Sequence, residues 1–246
     1  MEIQGEGIIG RMGGKYLLKT TIMKYLPDNY QDMIYVEPFV GGGSVFFKKE
    51  PSKIEVINDL DKNVMTVYKG FKKYDNEKIK DDVNGHYSKE EFKTLKDYKP
   101  KGDYEKFIKQ FILFRTSLYG QCKTFSGRGN INMRENYNDR LKHVKMYNTD
   151  YKNLIKKYDS KNTLFYLDPP YEGSSEEHYE HHAFDYDELE RILSHIKGLF
   201  LLSINDSPNI RKLFKNFDII PVKTKYANPN DWSKPKIKTE LLIKNY

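Results

Sequence analysis

The chain has 246 residues, 42 Lys and Arg against 35 Asp and Glu, one cysteine and a formal net charge of +7. The length suits one mid-sized domain, or one domain carrying a substantial insertion, and the lone cysteine excludes an intramolecular disulfide. Only 38% of residues are hydrophobic, but 20 Tyr and 14 Phe supply buried area that a disordered chain lacks. No apolar run nears the ~20 residues of a membrane span, and the opening MEIQGEGIIG lacks a basic-then-apolar profile. An intracellular protein without a membrane anchor is therefore expected.

Met33 to Phe39 is a short apolar run that stops at Gly41-Gly42-Gly43, after which Ser44-Val45-Phe46-Phe47 resumes. The pattern predicts a strand, a tight glycine turn and the start of a helix. Ile54 to Asp59 predicts a second strand with an acidic residue at its carboxyl end, and Asn63 to Phe71 a helix. Asp59 follows Gly41 at the spacing of the acidic residue that meets a ribose in dinucleotide folds. A glycine run alone is as readily a plain strand-to-helix turn. No Walker phosphate loop is present, which excludes the commonest nucleoside triphosphatases.

Residues 72–105 are charged and weakly patterned, and predict helices joined by exposed loops. Phe107 to Leu118 has apolar residues at helical spacing, and Gly120 to Asn138 predicts a loop or small hairpin. Residues 106–152 hold 10 basic and 3 acidic side chains, whereas the segments on either side are nearly balanced. A localised excess of this kind is the footprint of a polyanion-binding surface. Arg, Lys, Asn and Gln there are the side chains that contact phosphates and base edges.

Thr163 to Asp168 predicts a buried strand, ended by Pro169-Pro170-Tyr171. The Asp carboxylate, two prolines that donate no hydrogen bond and an aromatic face place acceptors around a planar amino group. The exocyclic amine of a nucleobase fits such a site. Further on, Asp187 to Ile196 and Ile210 to Phe217 predict helices, and Leu199 to Ile204, Ile219 to Tyr226 and Thr239 to Ile243 predict strands. Strands alternating with helices at both ends predict an α/β fold with a mostly parallel sheet and a helical, loop-rich insertion. His178, His181 and His182 lie in an acidic stretch and read as exposed, so no metal is expected. Cys122 lacks the preceding proline of a carbon-5 cytosine methyltransferase nucleophile.

Four ordered segments carry a resemblance to a known family. They are Gly13-Gly14-Lys15-Tyr16, Val36 to Gly41 with Asn58-Asp59, Asp168 to Tyr171, and Leu201 to Asp206 with Glu240-Leu241-Leu242. Together they resemble the Dam-like DNA adenine-N6 methyltransferases, in the order cofactor motif, recognition domain, catalytic motif. The resemblance implies a Rossmann-like sheet that uses S-adenosyl-L-methionine, formed by residues 1–68 and 156–246, with an inserted, mainly helical target-recognition domain at 69–155. It implies that Lys15, Glu37, Phe39, Gly41, Gly43, Asp59 and Asp168 line the cofactor pocket, with Gly13 beside them. Arg11 stands there too, where the family commonly has an aromatic, so a stacking role is lost. Asp168, Pro169, Pro170 and Tyr171 match the catalytic motif around a flipped adenine. Arg115, Tyr119, Gln121, Lys123, Arg128, Asn132 and Arg134 fall in the segment that contacts DNA. Lys123 occupies a position where a base-reading arginine is usual, and lysine lacks the bidentate fork that arginine offers guanine. The segment after Tyr171 is a mobile flap in that family, and Phe184 suits it.

The expected partner is double-stranded DNA, with room for a cognate restriction endonuclease, and the expected state is a monomer or weak dimer. N4-cytosine or RNA amino-methylation shares the same logic and stays open. So does a catalytically inactive nucleic-acid-binding relative, although the intact Asp168 to Tyr171 argues against it.

Overall fold

A computed structural model describes residues 7–10, 15–172, 184–226 and 236–246. Seven strands form one sheet in the order β5-β2-β1-β6-β7-β9-β8. They are β1 (Ile34–Glu37), β2 (Ile54–Asn58), β5 (Lys145–Tyr147), β6 (Thr163–Leu167), β7 (Leu199–Asn205), β8 (Asp218–Tyr226) and β9 (Lys236–Lys244). β1 pairs parallel with β6, matching Val36 to Phe165, and β6 pairs parallel with β7, matching Leu167 to Leu202. β9 runs antiparallel to both β7 and β8. The α/β fold with a mostly parallel sheet is the one the sequence predicts. No helix among the described residues is long and apolar enough to cross a membrane.

The chain divides into two compact units. One comprises Met1–Tyr16, Val40–Glu50 and Ile57–Thr149; the other comprises Leu17–Phe39, Pro51–Val56 and Asp150–Tyr246.

The second unit holds β1 and β6 to β9, with helices α1 (Lys19–Met23), α7 (Tyr151–Tyr158), α8 (Tyr186–Leu193) and α9 (Pro208–Leu213). All five β6 residues are buried, as are Phe200, Leu201, Leu202, Ser203 and Ile204 of β7. Strands covered on both faces read as continuous apolar runs rather than as alternation, which is why TLFYL and LFLLSI were legible. The helix starts are legible too: Asp150 accepts from Lys152 N–H, Asp185 from Glu188 N–H, and Ser207 from Ile210 N–H ahead of Pro208 at the first turn.

The first unit is mainly helical. It contains α2 (Lys62–Lys73), α3 (Asn76–Val83), α4 (Lys89–Asp97), α5 (Asp103–Thr116) and α6 (Tyr137–Leu141). Its core is aromatic, as the composition requires. The Phe71 ring meets Phe107, Phe111 and Tyr137 edge-on, each at 5.0 Å between centroids. Asp61 caps α2, Asp75 caps α3, and Ser88 forms a reciprocal capping box with Glu91 on α4.

One sequence expectation is corrected. Ser44 to Phe47 does not begin a helix. Phe47 N–H bonds the Gly43 carbonyl at 2.9 Å and Lys49 N–H the Val45 carbonyl at 3.0 Å, turns that do not continue as a helix and end before Pro51. Three of the four residues are β-branched or aromatic, and too few positions remain to repay helix nucleation. Gly120 to Asn138 is mostly loop, as expected, and is tied to segments outside it. Within it, β4 (Asn130–Ile131) pairs antiparallel with β3 (Gly85–His86), while Ser117 bridges Phe125.

Candidate active site and nucleic-acid interface

In the first unit, the glycine turn is knotted to the end of β2. Gly41 and Gly43 adopt φ of +47° and +76°, the left-handed region that favours glycine. Gly41 N–H donates to Asp59 Oδ2 at 2.9 Å, and Asp61 N–H donates to Asp59 Oδ1 at the same distance. The Tyr68 hydroxyl donates to the Gly41 carbonyl at 3.2 Å. Asn148 donates to the carbonyls of Asp59 and Leu60, and the Asn58 amide pairs reciprocally with the Thr149 backbone. One carboxylate thus fixes both its own turn and the glycine loop. A Cβ added at Gly41 meets nothing within 4 Å, so the loop presents bare backbone to open space. This arrangement fits a nucleoside-bearing cofactor: the backbone can be approached closely, and a carboxylate of the kind that accepts from hydroxyls stands beside it.

In the second unit, the chemistry collects beyond the carboxyl ends of β1 and β6, which lie side by side in the sheet. Ligands of open α/β sheets bind where the strand order reverses, and the chain leaves β1 for β2 on one side and returns to β6 on the other. Buried Glu37 ends β1 and accepts from the buried Tyr35 hydroxyl at 2.7 Å. Asp168 follows β6 and accepts from Ser203 Oγ at 3.2 Å, and Ser203 Oγ is itself 2.9 Å from the Tyr166 hydroxyl. Since Ser203 has one proton, a bond to Asp168 makes Tyr166 the donor to Ser203. Tyr166 and Ser203 are fully buried, so this relay runs through the core to the carboxylate.

The rest of the Asp168 to Tyr171 turn is held just as closely. The Tyr186 hydroxyl donates to the Pro170 carbonyl at 2.5 Å, and the Tyr171 hydroxyl donates to the buried Glu240 carboxylate. Glu172 N–H donates to Asn205 Oδ1 at 3.0 Å, while its carboxylate accepts from Ser207 and Asn209. Pro169 is the exception: among the described residues no hydrogen bond reaches its carbonyl. Of the two proline carbonyls, that of Pro170 is already engaged. Burial pushes the Tyr171 phenol well above the ordinary tyrosine range, and the nearby Asp168 and Glu240 charges push it further. Burial, then Asp168, does the same to Tyr166, and burial, then Glu37, to Tyr35. The Phe39 ring packs at 5.2 Å from Tyr151 and 5.7 Å from Phe184, and Phe184 in turn at 5.1 Å from Tyr186.

The basic segment lies in the first unit and frames a cavity of about 350 Å³. Arg115, Tyr119, Arg128, Asn130 and Ser117 line it, with Gly10 on the N-terminal segment. Tyr119 and Cys122 adopt φ of +53° and +57°, uncommon for side-chain-bearing residues. Ser117 Oγ accepts from Cys122 N–H at 2.9 Å, and Leu118 N–H donates to the Thr124 carbonyl. The loop is therefore braced in a conformation that leaves Leu118 and Tyr119 exposed.

A family model described as D12 class N6 adenine-specific DNA methyltransferase matches residues 12–134 and 114–228. The chain belongs to this family. It is 28% identical over 271 aligned residues to the Type II methyltransferase M1.LlaDCHI of Lactococcus lactis, covering 95% of this chain and 93% of that protein. It is 26% identical over 283 residues to the Type II methyltransferase M.MjaIII of Methanocaldococcus jannaschii, covering 95% and 96%. Among solved structures it is similar to a precorrin-6y C5,15-methyltransferase from Geobacter metallireducens, with 8% identity, a TM-score of 0.43, and coverage of 93% and 87%.

In this D12 class chain the expected cofactor residues fall into two groups. Lys15, Gly41, Gly43 and Asp59 belong to the first unit, with Gly41, Gly43 and Asp59 brought together by the glycine turn. Glu37, Phe39 and Asp168 belong to the second. Arg11, Gly13 and the His178, His181 and His182 cluster lie outside the described residues. Of the expected DNA contacts, Arg115, Tyr119 and Arg128 share the cavity wall; Gln121, Lys123, Asn132 and Arg134 do not line it. Tyr186 is not singled out from sequence, and Tyr166, Ser203, Asn205 and Glu240 appear there only inside strands and resembling segments with no role given, although all five hold the Asp168 to Tyr171 turn. The available signal was a polar residue inside an apolar strand, as in Leu-Leu-Ser-Ile and Glu-Leu-Leu-Ile.

Proposed function

We propose that this chain methylates the N6 amino group of adenine in double-stranded DNA, as the Dam-like members of the family do, with S-adenosyl-L-methionine as methyl donor. The observation that carries the reading is the Asp168 to Tyr171 turn. It keeps one backbone carbonyl, that of Pro169, without a partner among the described residues, on the residue that follows Asp168. That carbonyl and the Asp168 carboxylate suit the two N–H groups of one exocyclic amine. Accepting both bonds draws the nitrogen lone pair out of conjugation with the ring, which makes the nitrogen a nucleophile. When bound, S-adenosyl-L-methionine supplies an electrophilic methyl group on its sulfonium. Gly41, Gly43 and Asp59 would hold it.

The protein's contribution is positioning and charge complementarity. Tyr171 offers a ring on which the base stacks, and the target must leave the duplex, because its amino group is paired inside it. Residues 69–155 act as the target-recognition domain, with Arg115 and Arg128 on phosphates and Tyr119 at the exposed tip. A cognate restriction endonuclease reading the same site is the partner class that goes with this role, inside the cell. The test is transfer of labelled methyl from S-adenosyl-L-methionine to unmethylated plasmid DNA, followed by nucleoside analysis. N6-methyladenine is expected. Label in N4-methylcytosine instead, or none in any duplex, overturns the reading.

A further inference from the structure

We propose that Glu240 is a positioning residue for methyl transfer, its carboxylate holding the Tyr171 hydroxyl so that the ring stays in the plane on which the target base stacks. The inference rests on the proposed role of Tyr171 and assigns a function to a strand that no part of that role requires.

Glu240 occupies β9 immediately before Leu241, Leu242 and Ile243, all fully buried, and is itself only 2% exposed. It lies opposite Asn205 of β7 and Val222 of β8. Dehydrating a carboxylate in such a place is strongly unfavourable unless it is hydrogen-bonded, and packing alone would be served by another leucine. The carboxylate accepts from Tyr171, 69 residues away in sequence. A phenol O–H prefers the plane of its ring, so an acceptor fixed in a sheet sets the ring's rotation as well as the position of its tip. Burial and two carboxylates keep the phenol protonated, so the donor persists at every working pH. The flanking atoms are already held, Pro170 by Tyr186 and Glu172 by Asn205. The Tyr171 side chain is held in its turn by Glu240.

The test compares Glu240→Ala, Glu240→Gln, Tyr171→Phe and the Glu240→Gln, Tyr171→Phe pair on unmethylated plasmid DNA. For each, kcat and the KM for S-adenosyl-L-methionine are measured alongside thermal melting. Glu240→Ala is expected to lower kcat about ten- to hundredfold, the effect of losing a hydrogen bond to a charged group, with KM nearly unchanged. Glu240→Gln, whose amide oxygen still accepts, restores most of that loss. In the Tyr171→Phe background, Glu240→Gln costs nothing further. Should Glu240→Ala fail to fold, Tyr171→Phe carries the test alone: a kcat lowered as in the Ala prediction is expected, and wild-type kcat overturns the proposal. Wild-type kcat in Glu240→Ala, a Gln variant as slow as Ala, or losses that multiply in the pair would each overturn the proposal. A wild-type protein that transfers no methyl to DNA instead overturns the proposed function.

Discussion

Replacing Ser203 with alanine separates what the buried relay does for stability from what it does for the reaction. The hydroxyl sits 2.9 Å from Tyr166 and 3.2 Å from Asp168, fully buried. Its loss strands the Tyr166 hydroxyl in the core, which costs about 2 kcal/mol, or about 4–8 °C in Tm for a chain of this size. Asp168 separately loses a donor to its charge, about 1.5–3 kcal/mol, which is about 10- to 100-fold in kcat if the carboxylate must be aimed to work. Adding Tyr166→Phe removes the stranded hydroxyl, so the double variant melts close to wild type. Asp168 still lacks its donor, so methyl transfer stays slow. Calorimetric melting and labelled-methyl transfer read the two effects independently. Wild-type turnover in Ser203→Ala would show that the relay does not aim Asp168. A double variant as unstable as the summed singles would show that the two hydroxyls are not coupled.

Asp168→Ala should abolish methyl transfer while leaving DNA retention in a mobility assay largely intact. Arg128→Ala should weaken DNA binding across all sequences and lower the slope of log K against log salt by about 0.9, measured by fluorescence anisotropy. Gly43→Ala must force φ +76° and a Cβ placed 2.3 Å from the Tyr68 hydroxyl, so a loss of about 1–3 kcal/mol is expected in a urea melt. Tyr35, Tyr166 and Tyr171 have raised pKa values in the fold, so above about pH 10 the unfolded chain binds fewer protons than the native one. Stability is therefore full below that pH and lost as pH rises through it, and tyrosinate absorbance from these residues should appear only with unfolding.

What the sequence disclosed was what neighbours along the chain decide. Asp61, Ser88 and Ser207 announce the starts of their helices, because capping is settled within three residues. The apolar run before Asp168 announces a buried strand, and the turn that follows is written in its prolines. β5, only three residues long, carries too little pattern to be read, and the helix expected after Gly43 failed for want of length. The partners of Asp168, Pro170 and Tyr171 lie 35, 16 and 69 residues away. Such pairings are set by strand order, and a single sequence does not print strand order. For the same reason β4 could be expected as part of a hairpin but not as the partner of Gly85 and His86.

The two prolines also explain why so much of the molecule converges on four residues. A turn with consecutive prolines has two fewer N–H groups, so its backbone cannot be fixed by the donors that hold ordinary loops. It must be held by acceptors and side chains, and the donors must come from elsewhere. β7 supplies Ser203 and α8 supplies Tyr186 as donors, while Asn205 of β7 accepts from Glu172 N–H and Glu240 of β9 from the Tyr171 hydroxyl. The same deficit makes the turn suited to an amine, because a site with backbone donors would compete for the lone pair that has to react. Holding the turn from outside leaves the Pro169 carbonyl as the backbone acceptor that no described residue engages. The polar residues scattered through otherwise apolar strands are therefore the counterpart of the prolines. Mutating either set should impair the same step, the aiming of one amino nitrogen.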